Sequence, residues 1–66
     1  MKSYSSREVI KILMQNGWYE CRKATGSHHA FKHPFKQGIV IVPHPKSNIP
    51  IGTLKAIEKQ AQVKLE

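Results

Sequence analysis

The chain has 66 residues and a net charge of +7, with eleven Lys or Arg against four Asp or Glu. A domain of this size buries only about 60% of its unfolded surface, which argues against a deep substrate cavity and for an open site on the surface. One cysteine, Cys21, excludes an intramolecular disulfide.

The start of the chain lacks the apolar stretch of a signal peptide, and nothing approaches the roughly 18 apolar residues of a membrane-spanning helix. The expectation is therefore one cytoplasmic domain over 1–66 with no membrane partner. The basic residues Lys11, Arg22, Lys23, Lys32, Lys36, Lys46, Lys55, Lys59 and Lys64 are spread along the sequence rather than gathered in a tail. That pattern fits a folded basic surface facing nucleic acid or an acidic protein. A lipid surface fits less well, because no segment pairs a strong basic face with a bulky aromatic one.

Ser5-Ser6-Arg7-Glu8 reads as a capping box, followed by Val9, Ile10, Leu13 and Met14 on one helical stripe. Asn16-Gly17 ends this helix, which spans about 6–16. Trp18 to Lys23 reads as a strand, Ala24-Thr25-Gly26 as a tight connection, and Ser27 to Lys32 as the second strand of a hairpin. Pro34 to Gly38 forms a turn, and Ile39-Val40-Ile41-Val42 a third strand stopped by Pro43-His44-Pro45. A second helix over about 50–62 carries Leu54, Ile57 and Ala61 inward, with Pro50 as its first residue and Gly52 weakening its first turn. Val63 to Leu65 is a tail strand or a packed extension. The order α-β-β-β-α predicts an α+β two-layer sandwich, with a three-stranded antiparallel sheet and both helices on one face.

The two adjacent histidines, His28 and His29, must point to opposite faces of their strand. Phe31 belongs in the core, so His29 shares the covered face and is structural, while His28 sits with Lys32 on the open face. An exposed imidazole among cations can take a ribose 2′-hydroxyl proton or protonate a leaving oxygen. The alternative for His28 is an ordinary surface histidine. Gly26 permits unusual dihedrals and close phosphate approach, or is a common turn glycine. Ser27 caps the turn or contacts phosphate.

His33 and His44, with Cys21, His28 and His29, raise the question of zinc, but there is no Cys-x-x-Cys pair and no helical His-x₃-His, so no metal is expected. Cys21 lacks an activating neighbour and reads as a small apolar residue rather than a nucleophile. Trp18, Tyr19, Phe31 and Phe35 are aromatic groups on which bases could stack. Trp18 and Phe31 fit the core better, while Tyr4 and Phe35 are the candidates for exposure.

Leu13-x-x-x-Gly17-Trp18, Gly26-Ser27-His28-His29, Val42-Pro43-His44 and Pro50-x-Gly52-Thr53-Leu54-x-x-Ile57 occur in this order, and together they resemble the HicA family. The likeness runs over about residues 5–62. HicA proteins are small bacterial toxins of type II toxin–antitoxin pairs. The resemblance implies a fold similar to a double-stranded-RNA-binding domain and cleavage of mRNA without a metal or other cofactor. It also implies growth arrest, and a HicB antitoxin that covers the active surface of an otherwise monomeric toxin, giving a hetero-oligomer.

The histidine after Gly-Ser is the family's catalytic one, which maps to His28, and the glycine of that motif maps to Gly26. Ser27, Lys23, Lys32 and Lys36 are the expected RNA contacts around it. One departure is that Gln60-Ala61-Gln62-Val63 lacks the glycine with which many relatives end the last helix. A non-catalytic RNA-binding module of the same fold and a protein-binding adaptor are the competing readings.

Overall fold

The structure, a computed structural model, describes residues 2–21 and 26–65. The chain runs α1 (Ser6–Gln15), β1 (Tyr19–Glu20), β2 (His28–Lys32), β3 (Val40–Pro43) and α2 (Ile51–Ala61). Helix α1 starts where its sequence provides an acceptor for its free amides. The Ser5 hydroxyl accepts from Glu8 N–H, and the Glu8 carboxylate accepts from Ser5 N–H at 2.8 Å. At the other end Gly17 adopts φ +92°, and Trp18 N–H reaches back to the Leu13 carbonyl.

The three strands form an antiparallel sheet in the order β1-β2-β3, so β2 is central and β3 has a free outer edge. The register sets Phe31 opposite Val40, Ala30 opposite Ile41, His29 opposite Val42 and His28 opposite Pro43. Phe31, Val40 and Val42 point to the covered face and are buried with Val9 and Leu13 of α1 and Leu54, Ile57 and Ala61 of α2. Both helices therefore lie on one face, as the alternation predicts. Val63 and Leu65 complete the core as a packed extension, held by Leu65 N–H donating to the Glu58 carboxylate.

Three expectations change in detail. The first strand is shorter than the predicted span: Trp18 precedes it with its side chain 2% exposed, its indole N–H donating to the Ala61 carbonyl at the end of α2. The rest of that predicted span, Arg22 and Lys23, and the connection through Thr25 lie outside the described residues. Tyr4 is buried rather than exposed, because its segment is drawn onto the core by Ile49 N–H donating to the Tyr4 carbonyl. Pro50 is the N-cap of α2 and not its first helical residue.

Candidate functional site

His28 opens β2, the central strand, and its side chain lies on the uncovered face. Strand parity places Tyr19, Lys32, Ile41 and Pro43 on the same face. This face is mixed: Tyr19 and Ile41 are about half exposed, and His28 and Lys32 are exposed. Ala30 between them is covered only because it is small and flanked by strands on both sides.

Gly26 and Ser27 form the turn into β2, with Gly26 at φ +55° and nothing within 4 Å of where a Cβ would stand. Its backbone conformation, not crowding, is what favours glycine there. The Ser27 carbonyl accepts from His44 N–H at 2.7 Å, which ties this turn to the loop after β3.

His28 borders a shallow hollow of about 300 Å³ that wraps the free edge of β3 and is lined by His28, Ile41, Pro43, Lys46, Pro50 and Thr53. The first turn of α2 faces it with no side-chain cap and no acidic residue. Lys32 stands four residues along β2, about 13 Å away at strand rise. Lys36 lies at the opposite end of α2, where its ammonium reaches the Ala61 carbonyl at 3.5 Å. The fold therefore brings together Gly26, Ser27 and His28, puts Lys32 further along the same face, and does not bring Lys36 to His28. Lys23 lies outside the described residues.

The other histidines have structural partners. His29 is half-buried on the covered side, where Nδ1 meets the Glu20 carboxylate at 2.5 Å and its ring packs edge-on against His44. It is thus at the rim of the core rather than within it. His44 Nδ1 meets the buried Ser6 hydroxyl at 2.6 Å. His33 bonds the Asn16 carbonyl through Nε2 and accepts from Phe35 and Lys36 N–H through Nδ1, closing the turn before β3. Among the described residues no three His, Cys, Asp or Glu gather as a metal cluster. Phe35 is 90% exposed, as expected.

The sequence named Lys46 only as one dispersed lysine and Thr53 only within a motif, and did not connect either to His28. They reach the hollow from a loop and a helix end that no local periodicity connects to β2.

No helix among the described residues is long and apolar enough to cross a membrane. None of the curated proteins compared with this chain matches it. Four solved chains do. One of them comes from a structure described as the HicA3 and HicB3 toxin–antitoxin complex; it is 32% identical, with a TM-score of 0.76 over 96% of this chain and 100% of that one. The family model for the HicA toxin of bacterial toxin–antitoxin systems matches residues 6–63, which takes in both helices, all three strands and the His28 turn, and the chain belongs to that family.

Proposed function

We propose that this chain is the toxin of a type II pair and acts in the cytoplasm as an mRNA endoribonuclease that needs no metal. His28 is its acid–base group. The observation that carries this reading is the position of His28: exposed, at the head of the central strand, on the sheet face that neither helix covers, in a chain of net charge +7.

An imidazole there can remove the proton of a ribose 2′-hydroxyl. The 2′-oxygen then attacks the adjacent phosphorus and the bond to the 5′-oxygen breaks. The leaving oxygen takes a proton from water. The products are a 2′,3′-cyclic phosphate and a 5′-hydroxyl end. One acid–base group contributes about 10²–10⁴-fold, so the enzyme is slow. Gly26 and Ser27 offer backbone and hydroxyl contacts to phosphate beside His28. Lys32 holds a neighbouring nucleotide along β2, and Lys23 and Lys36 hold flanking RNA. A HicB-like antitoxin, of the kind found with the similar HicA3 chain, masks the His28 face. The free toxin is a monomer, and the inhibited form is a hetero-oligomer.

The test is cleavage of a defined RNA by the purified chain in excess chelator, with end-group analysis. Wild-type protein should yield cyclic-phosphate ends, and His28→Ala should bind the RNA equally and leave it intact. RNA binding without cleavage by the wild type would instead make the chain a non-catalytic RNA-binding module.

A further inference from the structure

The hollow beside His28 contains a cation that the proposed chemistry needs and that the sequence motif does not contain. We propose that Lys46 is the residue that holds the scissile phosphodiester, with Thr53 and the open first turn of α2 forming the rest of an anion subsite. This rests on the nuclease reading of His28.

Three observations support the assignment. First, Lys46 and Thr53 line the same concavity as His28, whereas Lys32 is four residues away along the strand and Lys36 is at the far end of α2. A phosphate seated against the His28 imidazole therefore borders the hollow that Lys46 and Thr53 line.

Second, the backbone of Lys46 is fixed. Its carbonyl accepts from Ser6 N–H at 2.8 Å, its N–H donates to the Ser6 hydroxyl at 2.9 Å, and that hydroxyl lies 3.1 Å from the same carbonyl. Ser6 is 1% exposed and these bonds are part-buried, so they are partly shielded from water. The exposed Lys46 side chain thereby starts from a fixed point at the lip of the hollow, which leaves only its own rotamers to be ordered on binding.

Third, among the described residues no carboxylate is paired with it. Of the four acidic residues, Glu8 is held by Ser5, Glu20 by His29 and Glu58 by the Leu65 amide; Glu66 lies outside the described residues. The first amides of α2 meet no side-chain cap, and the positive end of the helix favours an anion in the same place.

In the reaction, Lys46 neutralises a non-bridging oxygen of the phosphate as negative charge grows on it during attack by the 2′-oxygen. No proton passes to or from Lys46. The bonds made and broken are those already given.

The experiment compares wild type, Lys46→Gln, Lys46→Arg, Lys59→Gln and His28→Ala on one RNA, with each fold checked by thermal denaturation. Binding of a 2′-deoxy analogue, which cannot be cleaved, is followed by NMR. Removing one such donor lowers the rate by about 10²-fold. Lys46→Gln should do so, Lys46→Arg should recover most of the loss, and Lys59→Gln, which removes the same charge from the exposed side of α2, should stay within about twofold of wild type. The analogue should shift the Gly52 and Thr53 amides in wild type and not in Lys46→Gln.

Cleavage by Lys46→Gln at the wild-type rate, while His28→Ala is inactive, overturns this subsite and leaves the nuclease reading standing. Absence of cleavage by wild type overturns the nuclease reading. In that case the amide shifts still decide whether Lys46 and the head of α2 bind a phosphodiester, and their absence overturns the subsite as well.

Discussion

The Ser6 hydroxyl meets His44 Nδ1 at 2.6 Å, joining the first residue of α1 to the loop that follows β3. The same hydroxyl accepts from Lys46 N–H. One buried oxygen thus anchors the stretch of chain that passes beside His28 and leads to the head of α2.

Ser6→Ala should therefore cost more than a typical serine truncation. It leaves the Lys46 N–H and the facing His44 nitrogen without their partner in a part-buried site. A buried polar group left unpaired costs about 1–3 kcal/mol. In a domain of this length each kcal/mol lowers Tm by about 4–8 °C. Thermal denaturation of Ser6→Ala should show a drop of that order. If Lys46 acts as proposed, cleavage per folded molecule should fall as well, because the launching point of its side chain is loosened. An unchanged Tm would mean that water replaces the hydroxyl without loss.

Gly17 and His33 should behave as a coupled pair. Gly17 sits at φ +92°, and a Cβ there would stand 2.7 Å from His33 Nε2. Gly17→Ala meets both backbone strain and a collision with a ring that is itself bonded to the Asn16 carbonyl. Left-handed strain in a non-glycine residue costs about 1–3 kcal/mol. His33→Ala is destabilising for a different reason, since it removes the closing bonds of the 33–36 turn and the edge-on contact with Trp18. The double variant should lose less stability than the two single losses added together, because the collision vanishes with the ring. Additive losses in urea titrations would show that only the φ of Gly17 matters.

What the sequence made legible was local or periodic. The Ser5–Glu8 capping box is a four-residue pattern, and it closes as predicted. The inward set of Phe31, Val40 and Val42 follows from alternation, and the same alternation places His28 on the open face. What escaped was long-range. The burial of Tyr4 depends on a bond to Ile49, and the indole of Trp18 depends on the Ala61 carbonyl, 43 residues away. Lys46 was one of many dispersed lysines until the fold brought it back to Ser6, 40 residues earlier. No periodicity carries such a return.

Acid should weaken the start of α1 through Glu8. Its carboxyl is held below the ordinary glutamate range mainly by the Ser5 backbone N–H, opposed by desolvation, with lesser help from the Ser5 hydroxyl and Lys2. A group with a lowered folded pKa adds stability above its unfolded value and loses it as pH falls through the folded one. The stability gap between wild type and Glu8→Ala should thus be constant from neutrality down to the ordinary glutamate value of about 4.3, and close below it. Glu8→Gln, which keeps an acceptor for Ser5 N–H but cannot titrate, should lose this dependence. Denaturation midpoints collected across pH 2–7 on the three proteins (a range chosen to span about two units on either side of that value) would test the sign. A gap that widens in acid would contradict it.

The adjacent histidines should separate activity from stability. His28 is exposed on the open face, so His28→Ala should leave the denaturation midpoint near that of wild type while abolishing cleavage. His29 meets Glu20 and packs against His44 at the rim of the core. The side chains of this pair are 26% and 46% exposed, which puts their direct interaction in the range of about 0–1 kcal/mol for surface pairs. His29→Ala should accordingly cost about 1 kcal/mol once the lost ring contact is included. Cleavage by the folded fraction should persist, because the substitution removes nothing from the open face. Loss of cleavage in a fully folded His29→Ala protein would make His29 part of the acid–base machinery. Since the two side chains leave opposite faces of one strand, that outcome would require RNA to wrap the end of β2 rather than lie across the open face.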